Sequence, residues 1–339
     1  MAPRLWRHSG TLAQANHPYR PITGQHYAWY VHEIRAVPAV LAAVALSVSL
    51  VQTTGASVSA ARPNFNDPAW SPDGRQIAFT SNQTDPTRFF PDVWVMNADG
   101  SNTRRLTDGP ADCPNDPCGR GHPSWSPDGK RLAYQAFAWI DVINNDGTGH
   151  RRLWTKGNEA TGACCPAWSP GAGRRIAFTV GGEGVPAQLW VMKADGTGKK
   201  RLARAPDGFA YTFPTWSPAG RWIAFSLIRE PRPPKYGNAT GVLGIVRSDG
   251  KGRIRRLKAG SAPWMPAWSH DGRRIVFSDT LKQIAVVDLD TGKLVRLRAG
   301  QKPFWSPNDR RIVYEGPRGG IFVMNANGAR VRQLTPTNF

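Results

Sequence analysis

The fold is decided by the octapeptide DPAWSPDG at residues 67–74 and by five later versions of it: HPSWSPDG (122–129), CPAWSPGAG (165–173), FPTWSPAG (213–220), MPAWSHDG (265–272) and KPFWSPND (302–309). In each, a proline stands two residues before a tryptophan that opens a Ser-Pro-Asp-Gly-like turn. The tryptophans are Trp70, Trp125, Trp168, Trp216, Trp268 and Trp305, so the intervals are 55, 43, 48, 52 and 37 residues and average 47. That is the period of propeller blades.

The residues around each copy spell four short strands. After the turn comes an alternating apolar run (RQIAFTS, RRIAFTV, RWIAFSL, RRIVFSD), which suits a half-buried strand. A second run follows (DVWVMNADG, QLWVMKADG, GIFVMNANG) and ends in a glycine-bearing hairpin signal. A short basic element closes the repeat (RRLTD, RRLWT, KRLAR, VRQLT). Six repeats of four strands make about 24 strands, an all-β six-bladed propeller of four-stranded antiparallel blades. The blades are expected at 62–108, 119–155, 163–205, 211–259, 263–299 and 301–336, with the propeller as a whole at 62–339. A four-stranded sheet cannot bury both faces alone, so each tryptophan is expected to wedge between neighbouring sheets. In the turn, proline presets φ, aspartate accepts backbone N–H bonds and glycine takes the left-handed conformation. Asp309, where the other turns end in glycine, predicts that the last blade has the least regular turn.

Composition agrees. The chain has 339 residues, 40% of them hydrophobic, and its Gly 35 and Pro 29 leave little room for long helices. Fourteen tryptophans argue against low-complexity disorder. With 44 basic against 24 acidic residues the net charge is +20. Residues 62–339 keep 40 against 23, or +17, much of it in the fourth strands and just after the first turns. There it is expected to block edge-to-edge strand pairing and to attract anionic polymers or lipid headgroups in a salt-dependent way.

The repeated W-S-P-D-G with I-A-F, V-M-x-x-D-G and R-x-L-T after it resembles the WD-like repeat of TolB-type six-bladed β-propellers over about residues 62–339. The resemblance implies a periplasmic protein of the cell-envelope Tol–Pal system that meets partner proteins through one end of its propeller. That family carries an α/β domain before the propeller, whereas eight residues separate Ala61 from Trp70 here, which argues against a Tol–Pal role. The same repeats occur in prolyl-oligopeptidase-like peptidases with an added hydrolase domain. Residues 1–339 contain no G-x-S-x-G nucleophile elbow, so that activity is not expected.

Residues 1–61 read differently. The apolar run at 36–51 is short for a membrane span and suits a signal-peptide core, with Val58 and Ala60 satisfying the small-x-small rule for cleavage. Residues 1–61 are expected to be a signal peptide or membrane anchor, and translation starting near Val31 would give the segment an ordinary length. The protein is then exported: periplasmic, secreted or envelope-associated.

In the propeller, the tight first and third turns share one end, and the long connections at 81–92, 229–241 and 108–122 gather at the other, where binding is expected. The residues preceding the repeated prolines, Asp67, His122, Cys165, Phe213, Met265 and Lys302, are expected to ring the channel mouth at that end, either as a ligand collar or each packed against its own loop. Catalytic residues and cofactors are not expected. His122 lies at the opposite end from His150 and His270, so the histidines cannot cluster around a metal, and the DLDTG sequence at 288–292 reads as a plain hairpin. Cys113, Cys118, Cys164 and Cys165 lie in two successive blade connections, and export favours disulfides between them. Two cross-links between the two loops are expected, with adjacent cysteines poorly spaced for a zinc site. The reading that follows is a monomeric, non-catalytic scaffold binding an envelope protein or an anionic envelope polymer or lipid headgroup through its long-loop end, with nucleic acid an unexpected partner. The alternative is a channel-sited lactonase- or lyase-like enzyme, which needs a convergent histidine or carboxylate cluster at the mouth.

Overall fold

The computed structural model describes residues 63–84, 91–108, 120–154, 161–182, 185–229, 241–257 and 263–335. Contacts divide the chain into two units, Met1–Ser57 and Val58–Phe339, and every described residue belongs to the second. The expected signal or anchor segment, Cys113, Cys118 and much of the three long connections lie outside the described residues. Among those described, no helix is long and apolar enough to cross a membrane.

The described residues form six four-stranded antiparallel sheets. Blade one is β1 (Phe65–Trp70), β2 (Gln76–Ser81), β3 (Asp92–Asn97) and β4 (Arg104–Arg105). Blade two is β5 (Arg120–Trp125), β6 (Arg131–Ala136), β7 (Trp139–Asn144) and β8 (Arg151–Trp154). Blade three is β9 (Thr161–Trp168), β10 (Arg175–Gly182), β11 (Val185–Lys193) and β12 (Lys200–Ala203). Blade four is β13 (Phe209–Trp216), β14 (Trp222–Arg229), β15 (Gly241–Arg247) and β16 (Arg255–Leu257). Blade five is β17 (Trp264–Trp268), β18 (Arg274–Ser278), β19 (Gln283–Asp288) and β20 (Leu294–Ala299). Blade six is β21 (Gln301–Trp305), β22 (Arg311–Glu315), β23 (Ile321–Asn325) and β24 (Arg332–Gln333).

The hydrophobic cores lie between sheets. Ala133 and Ile140 of blade two pack with Trp168, Ile176 and Phe178 of blade three, and Leu189 and Val191 of blade three with Trp216, Ile223 and Phe225 of blade four. The ring closes where Val313, Ile321 and Val323 of blade six meet Phe65, Trp70, Ile77 and Phe79 of blade one. The indole nitrogens of Trp125 and Trp216 donate to the Ala69 and Ala167 carbonyls of the preceding blades at 3.1 and 2.9 Å. Packing is close enough that a Cβ on Gly244 would stand 2.4 Å from the Phe225 ring.

The basic residues after the first turn have a specific seat. Arg131, Arg175 and Arg274 stack over Trp168, Trp216 and Trp305 of the following blades, with the guanidinium carbon 4.7–5.0 Å from the ring centres. Fourth-strand arginines reach across as well: Arg151 donates to the Asp195 carbonyl and Arg298 to the Gly328 carbonyl, each at 3.3 Å. Charge expected to guard strand edges therefore also joins blade two to three, three to four and five to six.

The first turns behave as their chemistry dictates. Gly74 N donates to Ser71 O at 2.9 Å, and the Asp73 carboxylate accepts from Arg75 N at 3.0 Å. The last blade does not have the least regular turn. Asp309 takes the left-handed conformation at φ 56° and donates from its backbone to Ser306 O at 2.9 Å, as the glycines do. Its carboxylate accepts from His270 N and Asp271 N of the neighbouring turn at 2.7 and 2.8 Å, which offsets the steric cost of φ > 0. The irregular turn is the third, where the extra residue stretches Gly173 N to Pro170 O to 3.4 Å.

Candidate functional site

All six innermost strands break register at one place. Asn66 pairs with Thr80 and Ala69 with Ala78, so three steps on β1 oppose two on β2, and β5, β9, β13, β17 and β21 shift at the same position. The cause is the repeated proline. It has no N–H for the ladder and is found in sheets at edge strands and bulges, and each of these strands is a sheet edge that bulges at the proline. The residue before it is the one displaced. Asp67, His122, Cys165, Phe213, Met265 and Lys302 have φ of 53, 52, 60, 53, 50 and 52°, a conformation costly for side chains of this size. Six such residues, one per blade, line a channel cavity of about 340 Å³ together with the repeated prolines and tryptophans.

The collar divides into a polar and an apolar arc. Lys302 Nζ lies 3.2 Å from Asp67 Oδ1 and 3.2 Å from Glu315 Oε2, bridging blades six and one. With the Asn66 amide nitrogen turned to Glu315, it donates to both carboxylate oxygens at 3.2 and 3.0 Å. On the other side, His122 Nδ1 stands 3.6 Å from Asp67 Oδ1, and the His122 backbone N donates to Asp67 Oδ2 at 3.4 Å. His122 then meets Phe213 edge to face at 5.4 Å, from blade two to blade four, and Phe213 packs 5.7 Å from Trp264. Lys302, Asp67, His122 and Phe213 thus form one chain of side-chain contacts along the mouth.

Burial sets the protonation of this group. It raises the Asp67 pKa, but His122 in its charged form and then Lys302 outweigh it and hold the carboxyl at about 2. His122 is lowered, chiefly by burial and further by Lys302, against the pull of Asp67. At neutral pH His122 is therefore neutral, and Lys302 is the cation facing two carboxylates. Side-chain exposures of 7% for Asp67, 9% for His122, 12% for Glu315 and 19% for Lys302 leave little of these groups open to a substrate.

The cysteines correct one expectation. Cys164 is bonded to Cys165, its neighbour in the chain, so the described pair makes no cross-link to the preceding blade connection. In a regular strand adjacent side chains point to opposite faces. The bulge and the left-handed Cys165 remove that alternation and let the two sulfurs meet. A ring nitrogen of His122 and both sulfurs lie within 4.8 Å of one another, a grouping missed by weighing the histidines only against each other. Asn66 and Glu315 were missed too. Glu315 has a sequence signal, since it ends β22 where β2 and β18 end in serine.

His150 and His270 sit away from the mouth. His150 Nε2 is 2.9 Å from the buried Asp141, which also accepts from Arg152, and His270 faces Asp309. Exposed basic residues concentrate at the tight-turn end, including Lys130, Arg174, Arg221, Arg273 and Arg310, opposite to the long connections.

The family model described as TolB beta propeller domain matches residues 121–338. A curated relative, the "Uncharacterized peptidase YuxL" of Bacillus subtilis (strain 168), is 29% identical over an alignment 198 residues long that covers 48% of this chain and 29% of that protein. Among solved structures, TolB from Acinetobacter baumannii superposes with a TM-score of 0.56 at 19% identity, over 80% of this chain and 65% of that one. An oligogalacturonate lyase in complex with manganese superposes with a TM-score of 0.50 at 12% identity, over 81% and 90%. The matches span less than two thirds of the peptidase-named relative and of the TolB chain.

Proposed function

The chain belongs to the TolB beta propeller domain family, and from that premise we propose that it is an exported, non-catalytic binding propeller whose partner, an envelope protein, docks at the collar end of the channel. What carries the reading is the collar: six strained, left-handed residues, one from each blade, converge on one mouth. Backbone strain repeated in every blade is maintained by the surrounding structure and marks a place where side chains must be held inward. Its charged members are engaged with each other and mostly shielded, whereas Phe213 and Met265 are half-buried and give the mouth an apolar arc. Apolar anchors beside a closed polar network suit a protein segment. The basic tight-turn end adds a salt-dependent attraction for anionic envelope polymers or lipid headgroups, placing that role opposite the long connections.

An enzyme is the second reading, favoured by the same Asp67, His122, Lys302 and Glu315 group, which is the convergent cluster such an activity needs. The two separate experimentally. A photo-crosslinking amino acid at Met265, in cells of the source organism, should give a discrete protein adduct that is missing when the same group stands at Val295 on the outer strand β20. Equal labelling at both positions would defeat the docking reading. Turnover of a uronate polysaccharide that His122→Ala abolishes would establish the enzyme instead.

A further inference from the structure

The geometry points to a redox-controlled site for a thiophilic cation of the zinc class at the channel mouth, formed by Cys164, Cys165 and His122 once the bond between the two cysteines is reduced. The three donors come from two blades, β5 and β9, and already converge: one ring nitrogen of His122 and both sulfurs lie within 4.8 Å of one another. Zinc holds sulfur at about 2.3 Å and imidazole nitrogen at about 2.0–2.1 Å, so donors around a tetrahedral ion stand about 3.5 Å apart, and small side-chain rotations bring these to it. Two thiolates and an imidazole are a soft donor set that discriminates against magnesium and calcium.

The surroundings suit the ligand role. Asp67 Oδ1 stands 3.6 Å from His122 Nδ1, placing a carboxylate beside the imidazole, as is common behind metal-ligating histidines. His122 and Cys165 both line the cavity, so a fourth coordination position opens to water or a guest in the channel.

The chemistry balances with a dithiol as reductant. Two electrons pass from the dithiol to the sulfur–sulfur bond; the dithiol becomes a disulfide and its two protons move to Cys164 and Cys165. A divalent ion then displaces both protons as two metal–sulfur bonds and one metal–nitrogen bond form. In reverse, a small-molecule disulfide as oxidant takes two electrons from the two thiolates and leaves as a dithiol, the Cys164–Cys165 bond re-forms, and both metal–sulfur bonds break to release the divalent ion. The site is thus closed when Cys164 and Cys165 are bonded to each other and open when they are not.

The test uses the full chain carrying Cys113→Ser and Cys118→Ser, reduced with a phosphine that does not itself chelate, and Cd²⁺ as the probe. The reduced protein should bind one Cd²⁺ per chain with thiolate-to-cadmium charge-transfer absorption, and the oxidised protein none. His122→Ala should weaken binding about 10-fold or more, and Cys164→Ser or Cys165→Ser should abolish the absorption, with circular dichroism reporting that each variant keeps its sheet structure. X-ray absorption of the reduced protein loaded with Zn²⁺ keeps the idea exposed even if a variant fails to fold: two sulfurs and at least one nitrogen are expected. Binding that is equal in oxidised and reduced protein, that ignores His122→Ala, or that shows no sulfur donors overturns the site, as does absence of binding after reduction.

Discussion

Replacing Lys302 by methionine removes an ammonium that bridges two carboxylates at the junction of the last and first blades while keeping most of its aliphatic stem. Lys302 Nζ lies 3.2 Å from Asp67 and 3.2 Å from Glu315, whose side chains are 7% and 12% exposed. Removing one partner of a buried pair costs about 3–5 kcal/mol, and because Lys302 is itself 19% exposed the lower end applies, about 3 kcal/mol. At about 2–4 °C per kcal/mol for a domain of this size, the melting temperature should fall by about 6–12 °C at pH 7. The deficit should also depend on pH. In the wild type Asp67 sits at about 2, below its ordinary 3.8, so its contribution is present above pH 3.8 and is lost as pH falls through 2. Without Lys302, one of the two charges that offset burial is gone and the Asp67 pKa rises. The variant then takes up a proton on acidification towards pH 4, and the gap to wild type narrows. Urea unfolding at a series of pH values measures this directly, and Asp67→Asn added to Lys302→Met should recover part of the loss. A variant within about 0.5 kcal/mol of wild type at pH 7, or a gap of constant size from pH 7 to pH 4, refutes the assignment of this network.

Other outcomes follow from the same geometry. Trp216→Ala, which empties an inter-blade core and unseats Arg175, should cost about 3–5 kcal/mol in chemical unfolding; no shift of the midpoint would contradict the packing. Asp309→Gly relaxes a left-handed residue but deletes the acceptor for His270 N and Asp271 N, so it should destabilise by about 1 kcal/mol and not stabilise, as a differential scan would show. Burial lowers the His122 pKa, so the stabilising neutral ring is fully present above pH 6.5 and its contribution declines as pH falls below that value. Wild type should therefore lose more stability between pH 7 and pH 5 than His122→Asn, measured by thermal melting.

The fold was legible because its signals are local and repeated. Trp-Ser-Pro-Asp-Gly specifies a turn by the conformational limits of three residues, and sixfold recurrence turns a weak motif into an architecture. The collar positions were legible too, since a proline inside an inner strand must sit somewhere unusual. The bulge and the left-handed conformation that aim Asp67 and Lys302 at one another were not foreseen, because register is a property of two strands and only one was being read. Glu315 escaped because it belongs to β22 and reaches the mouth only through its pairing with Gln301. The Cys164–Cys165 bond escaped because the two blade connections were expected to be cross-linked to each other, whereas the bulge in β9 brings the neighbouring sulfurs together. The Asp309 turn was misjudged for a related reason: its stabilising partner comes from blade five.

Five of the six junctions between sheets are also joined by the polypeptide itself; at the sixth, between the last blade and the first, the described residues meet through side-chain packing, ion pairs and side-chain hydrogen bonds. No strand is exchanged there, since each sheet is built from consecutive strands. The propeller is a bracelet, and Lys302 with Asp67 and Glu315 is part of its clasp, reinforced by Arg332 donating to the Asp99 carbonyl at 3.3 Å. That clasp sits at the channel mouth, so side chains that ring the opening also hold the first blade to the last.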